Sequence, residues 1–453
     1  MRMLQKTACA VRTMVAAGGV LALAPGSAAA QDDAYTFADP ATEVALTRTA
    51  SGARLGWPAS TSGWDTALLG LRVDARGVQA PWLEIAAGTS RVAQHLDTAA
   101  SGLRWVNLSR LNGALAPGAS LEIIGHGVTL VEERAELRVF ANPAPGGPTL
   151  ILAPHPDDAE IAAFGLYDGS DATIVTVTSG NAGDFNYRRD VSDPAEHYLF
   201  KGFLRSVDSV TVPWLGGIPP ERTYNLGYFD ARLRQMRGTP EQPVSEMYGP
   251  NDDVSVYRRA NVSNLLPRGP RKNSWANLVE DLGTILRDLR PRRLVMPYPQ
   301  LDDHADHQYT TVAAIEALRG WSEPLQVLLY TNHASSNRYP FGPAGTAISL
   351  PPWSESALPV QGVYSHRLSE EVQRRKLYAL EAMHDLRLSP GEQHACATPG
   401  ALPRRDDYPR NDEVDYFRRA VRPDEVFFRY DLAAAREVAA SFLEPAGAAA
   451  GDR

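Results

Sequence analysis

Thr149-Leu-Ile-Leu-Ala-Pro-His-Pro-Asp-Asp158 begins as an apolar run and ends in a cluster of side chains that titrate or bind metals. A short, unbroken apolar run, rather than an alternating one, is the pattern of a strand buried on both faces of a parallel sheet. Asp158–Tyr167 continues as a helix with acidic residues in its first turn. Further along, residues 172–178 form a second buried strand, and Trp275–Leu289 a helix that stops at Arg290-Pro291. Arg293–Pro297 is another strand, 309–318 a helix and 325–330 a further strand. Strands alternating with helices predict an α/β fold: a Rossmann-like parallel sheet with helices on both faces.

Upstream the pattern differs. Residues 33–140 hold short alternating segments, such as 67–73, 80–85 and 135–140, separated by turn residues at 74–77 and 116–118. That spacing predicts a small all-β, sandwich-like accessory domain over 31–141. Asn142-Pro-Ala-Pro-Gly-Gly-Pro148 reads as a linker. The α/β domain then covers 149–432, and 433–453 forms a C-terminal helix and an Ala/Gly-rich tail. Residues 1–30 read as a signal peptide: Arg2, Lys6 and Arg12 precede the short apolar stretch 14–24, and an Ala-x-Ala site precedes Gln31. That stretch is too short to span a bilayer of about 30 Å. The mature chain is therefore expected to be exported, periplasmic or extracellular, without a transmembrane segment.

The formal net charge is -8, and no basic block marks a nucleic-acid partner. Of the two cysteines, Cys9 falls in the signal peptide, so Cys396 has no internal disulfide partner after cleavage. Oligomeric state leaves no trace in the sequence.

Parallel α/β sheets build their sites in loops at the carboxyl ends of strands. Three such loops stand out: His155-Pro-Asp-Asp158, Gly180-Asn-Ala-Gly-Asp184, and Asp302-Asp-His-Ala-Asp-His307. Only ten histidines occur in the chain, and three of them fall in two of these loops. A catalytic zinc needs about three His, Asp or Glu ligands and one open position. His155 and Asp158 can aim at one point, and His307 is placed to complete the set. The same donors suit ferrous iron or cobalt. Either motif alone also fits a capped helix start or an exposed polar loop; both at strand ends form a constellation. Asp184 and Asp302 are assigned to substrate contact, with a turn role for Asp184 and a supporting role for Asp302 as the alternatives.

His-Pro-Asp-Asp and Asp-x-His-x-Asp-His, each after a parallel strand, together resemble the PIG-L/LmbE-like family of N-acetylglucosaminyl deacetylases. The resemblance runs over about 148–428, and a late helix ending in His384 is a weaker match without the family's following Ser-Gln pair. It implies zinc held by His155, Asp158 and His307, with Asp157 as general base. His304 would stabilise the oxyanion or protonate the leaving amine as a histidinium, oriented by Asp306. The implied activity is hydrolysis of the acetamide of an N-acetylated sugar in a glycan or glycoconjugate. A metal-dependent amidase on another acylated molecule, and a carbohydrate-binding protein with an idle metal site, are the alternatives. Tyr224, Tyr228, Phe229, Tyr248, Tyr257, Tyr339, Phe341 and Trp353, in segments beyond the usual family core, are expected to wall a glycan groove.

Overall fold

The computed structural model describes residues 30–61, 63–141, 146–183, 187, 190–384, 386 and 416–444. The expected signal peptide (Ala30 excepted), Asp184, Cys396, positions 142–145 of the expected linker and the tail from 445 lie outside the described residues.

Among the described residues the central sheet has seven strands: β1 (Thr149–Ala153), β2 (Thr173–Thr178), β3 (Thr223–Tyr228), β4 (Arg293–Pro297), β5 (Gln326–Tyr330), β6 (Gly362–Arg367) and β7 (Asp424–Asp431), in the spatial order β3-β2-β1-β4-β5-β7-β6. The five strands β3 to β5 of that order are parallel, whereas β7 is antiparallel to both β5 and β6. The sheet is thus mixed, a departure from the wholly parallel expectation.

Alternation along β1 shows what covers each face. Leu150 and Leu152 join a core with residues of α3 (Trp275–Leu289) and α4 (Ala305–Ala317), whereas Ile151 and Ala153 join a core with residues of α1 (Asp158–Tyr167). Helix α2 (Pro194–Thr211) packs on β3. Helix α3 follows directly from its sequence. Ser274 caps its first turn, and Trp275, Leu278, Leu282, Ile285 and Leu286 form one buried stripe. Arg290 leaves it in the left-handed region, φ 44°, immediately before Pro291.

The N-terminal segment forms two five-stranded sheets with antiparallel pairing. Leu69, Leu71, Val106 and Leu137 of one pack with Leu55, Leu83, Ile85 and Ile123 of the other. The opposite face of the first sheet is buried too. Leu68, Trp105 and Phe140 belong to the same core as Leu150, Leu152 and Phe428 of the seven-stranded sheet. Tyr35–Phe37 pairs in parallel with Leu358–Val360, Phe37 lies edge-on to Trp105 at 4.8 Å, and Tyr35 stacks on Phe428 at 5.6 Å. The described residues from Gln31 onward form one compact unit.

Two stability predictions follow from this packing. Removing 31–147 uncovers that shared apolar surface, at about 25 cal/mol per Å² exposed. The truncated protein is expected to melt well below the full chain or to aggregate. Equal melting temperatures would show the two parts to be independent. Burial pushes the Asp424 carboxyl up to about 7, against the pull of Arg110 and Arg367. The unfolded chain loses this proton near pH 4, so stability falls as pH rises from about 4 to about 7. D424N is expected to be the more stable form at pH 8, by at least about 1 kcal/mol, with the gap closing at pH 4. Parallel melting curves for the two proteins across that range would exclude the effect.

Candidate metal centre

β1 and β4 are parallel neighbours, with Leu150 opposite Leu294 and Ile151 opposite Val295. Their carboxyl ends therefore open side by side, and the chain leaves each into the start of a helix. His155 and Asp158 sit at the entry to α1, and His304 is the N-cap of α4, three residues before His307. The result is a triangle of donor atoms. His155 Nδ1 lies 3.1 Å from Asp158 Oδ2 and 3.2 Å from His307 Nε2, and the third side, His307 Nε2 to Asp158 Oδ2, is 3.1 Å.

Three tetrahedral ligands at the usual zinc distances of about 2.0–2.2 Å would stand about 3.3–3.6 Å apart. The triangle is slightly tighter than that, and its donor set of two imidazoles and a carboxylate is one zinc accepts, so the residues present fit a single divalent ion. Other groupings within 4.8 Å, His155/His304/His307, Asp158/His307/His333 and His155/Asp230/Asp306, overlap it. In the last, both oxygens of Asp306 accept backbone N–H groups, from Ala231 and Leu233, whereas Asp158 accepts one, from His155 at Oδ2.

Each corner is held from behind. Asp158 Oδ1 accepts from Asn332 Nδ2 at 2.7 Å, and His307 Nδ1 faces Asp302 Oδ2 at 3.0 Å. A carboxylate behind a ligand imidazole fixes its tautomer and raises the basicity of the other nitrogen. Asp302 also accepts from the backbone N–H groups of His304, Asn332 and His333 and is buried. It therefore supports His307 and does not line the cleft, which corrects the expectation of substrate contact. His155 Nε2 faces Asp230 Oδ1 at 3.2 Å and Asp306 Oδ2 at 3.5 Å.

Electrostatics favour a cation here. Burial alone would depress His307, but the charges of Asp158 and Asp302 raise it to about 9. Burial opposes the charged form of His155 too, yet Asp230 and bonds to Asp158, Asp230 and Asp306 hold it well above its usual value. Burial raises Asp158, but His307 and His155 bring it well below the ordinary carboxylate range. A divalent ion would stand where these protons are held.

Asp157 is turned to the cleft. Its carboxylate lies 3.1 Å from Arg205 Nη2, and burial raises its pKa against that cation. Gly180, at φ 63°, lets the loop after β2 pass beneath Arg205; a Cβ there would sit 2.8 Å from the guanidinium carbon and 2.9 Å from Pro156 Cδ.

His304 differs from the sequence reading. Its Nδ1 accepts the backbone N–H of Asp306 at 3.2 Å, while the Asp306 carboxylate accepts from Ala231 and Leu233 and approaches His155. Burial, with His155 and His307 nearby, depresses His304 to about 3. It is thus a neutral imidazole carrying its proton on Nε2, not a histidinium held by Asp306.

The cleft over this cluster encloses about 480 Å³. His155, Asp157, Asp230, His304 and His333 bring polar atoms to it, Lys201 and Arg205 line it as well, and Ile161, Tyr416 and Phe417 add apolar surface. His333 stacks on Tyr416 and has Nδ1 2.8 Å from Asn337 Oδ1. None of the eight aromatics expected as groove walls lines the cleft. Tyr224, Tyr228, Phe229 and Tyr257 are wholly buried core residues, Tyr339 is buried, and Tyr248 stacks on Tyr198. His384 lies outside the cluster, bonded to Asp208.

Asp230 and His333 were missed by sequence reasoning. Both follow strands, and a search for His and Asp just past every strand end would have found His333 behind 325–330. Asp230 needed recognition of β3, whose Thr-Tyr-Asn-Leu-Gly-Tyr carries no apolar run.

Residues 150–318 match the family model PIG-L, GlcNAc-PI de-N-acetylase, in agreement with the resemblance carried by the two motifs. In coarse terms the match supports a hydrolase of the metal-dependent deacetylase type. No curated protein matches the chain. Among solved structures, 4-carboxy-2-hydroxymuconate hydratase GalB from Pseudomonas putida is 12% identical with TM-score 0.31, over 55% of this chain and 81% of that one. The salicylyl-acyltransferase SsfX3 of a tetracycline biosynthetic pathway is 13% identical with TM-score 0.15, over 62% and 70%. Scores this low carry no argument.

Metal analysis tests the triangle. The purified protein is expected to hold about one divalent ion per chain, since three ligands and an open position define one site. H155A, D158A and H307A should each lose it. Full occupancy in all three variants would place the metal elsewhere.

Proposed function

We propose that the chain is an exported, zinc-dependent N-deacetylase that hydrolyses the acetamide of an N-acetylated sugar in a glycan or glycoconjugate. One observation carries the reading: a three-cornered donor set lies beneath a cleft into which a carboxylate and a neutral imidazole also point. The match of 150–318 to a de-N-acetylase family model supports the choice of amide and sugar. Export rests on the basic, apolar and Ala-x-Ala pattern of residues 1–30.

A zinc ion held by His155, Asp158 and His307 would polarise the acetyl carbonyl and acidify the attacking water. Asp157 takes the proton of that water. Burial raises its pKa and so makes it the stronger base for that step. Arg205 keeps the carboxylate aimed into the cleft. His304, neutral and tied through Nδ1, offers its Nε2–H to the oxygen that gains negative charge as the carbonyl becomes tetrahedral. When the C–N bond breaks, the proton on Asp157 passes to the departing amine, and acetate and a free amino sugar leave. Asp302 and Asn332 hold His307 and Asp158 throughout.

Acetate release from a panel of N-acetylated glycans, with metal-stripped protein as control, tests the activity. D157N is expected to keep its metal and melting temperature while losing about 10²–10⁴-fold in kcat, the usual cost of a missing general base. H304A should behave in the same way. Near-normal turnover by D157N would assign the base to another group in the cleft.

A further inference from the structure

An imidazole can ligate through either nitrogen, and the choice is made by what the other nitrogen meets. His155 turns Nδ1 to Asp158 and His307 and Nε2 to two carboxylates. These two are not equivalent. Asp306 receives the backbone N–H of Ala231 on Oδ2 at 2.6 Å and that of Leu233 on Oδ1 at 3.2 Å, so both oxygens are engaged, and its approach to His155 is the longer one, 3.5 Å. Asp230 receives the Ala182 N–H on Oδ2 alone, and Oδ1 lies 3.2 Å from His155 Nε2. The backbone N–H of Asp230 in turn donates to Asn181 Oδ1 at 3.0 Å, and Asn181 Nδ2 donates to the Tyr257 hydroxyl at 3.2 Å.

We propose that Asp230 is the positioning residue of the metal centre: it fixes His155 with Nδ1 toward the ion, and through Asn181 and Ala182 it makes the loop after β2 part of the metal's affinity. This rests on the metal centre proposed above and adds the segments after β2 and β3 to those after β1, β4 and β5 that hold it. The arrangement mirrors Asp302 behind His307, so both ligand imidazoles are backed by a buried carboxylate. It also gives the Gly180-Asn-Ala-Gly stretch a role that needs no contact with substrate. Asp230 acts through His155, so its loss should appear in metal binding before any substrate is added.

The experiment compares wild type, D230A, D230N and N181A by zinc affinity in chelator competition and by the absorption spectrum of the cobalt-substituted, substrate-free protein. D230A is expected to bind zinc about 10–100-fold more weakly, as when a carboxylate behind a ligand histidine is removed. D230N, nearly the same shape, can still accept from Nε2–H without the charge, at the cost of turning its amide NH2 toward the Ala182 N–H; it should lose less than D230A, and N181A should lose least. The cobalt bands of D230A should shift or weaken. Zinc affinity and cobalt spectra indistinguishable from wild type in D230N and D230A would overturn the inference and leave the metal centre standing. Should D230A fail to fold, an unchanged affinity in D230N overturns it alone. A wild-type protein that binds no zinc would instead overturn the proposed function.

Discussion

His155 and His307, 152 positions apart, approach to 3.2 Å between ring nitrogens. The candidate metal centre depends on that contact, because neither histidine has three donors within its own loop. What enforces it is parallel pairing of β1 with β4 in a fixed register, with apolar residues of both strands packed on each face. A slip of one residue would turn every side chain of a strand to the opposite face. Burial of Leu150, Ile151, Leu294 and Val295 therefore sets the position of the donor triangle as well as the stability of the sheet.

The same burial sets the electrostatics. Asp158, Asp302, Asp230 and Asp306 crowd around two imidazoles in a region with little water, where charges interact strongly. Such a cluster is stable only if positive charge is shared among the acids, as protons or as a divalent ion. Backbone N–H groups take part of the load: Ala182, Ala231 and Leu233 each donate to a carboxylate of the cluster. Toward the cleft the balance reverses. His304 stands next to other imidazoles and becomes a poor base and a neutral donor, while Asp157, desolvated, becomes a better base. One site thus holds a neutral hydrogen-bond donor and a base, with burial moving the two pKa values in opposite directions, His304 down and Asp157 up.

The N-terminal sheets belong to the same physical system. Strand Thr66–Asp74 is buried on both faces, sending Leu69 and Leu71 into its own two-sheet core and Leu68 toward the seven-stranded sheet. Asn107 reaches across to the Ser365 hydroxyl of β6 at 2.9 Å and to the Ile348 carbonyl at 3.0 Å, so polar bonds fix the seam that Trp105 and Phe37 fill. The Pro/Gly stretch between the two parts is no guide to how firmly they are joined.

The amino-acid sequence by itself determined which segments become strands and helices wherever the pattern was local and strong. β1, α3 and β4 lie where their apolar runs and stop signals put them, because burial on two faces, capping and a following proline act over a few residues. It also determined that His155, Asp158 and His307 leave strand ends on one edge of a sheet. Tertiary structure alone decided the partners. The Asp306 carboxylate faces Ala231, Leu233 and His155 rather than His304, and Asp302 faces His307 rather than the cleft. Asp230 enters from a strand whose Asn225 and Gly227 hide its period-two Tyr224, Leu226 and Tyr228. Those same tyrosines, read from sequence as groove walls, are core residues because β3 is covered on both sides. A residue's hydrophobic surroundings repeat along the chain and can be read locally. The partner of a buried charge is fixed by register and loop path, often between segments some seventy or more residues apart, as for Asp306 with Ala231 and Leu233, and no local pattern encodes it.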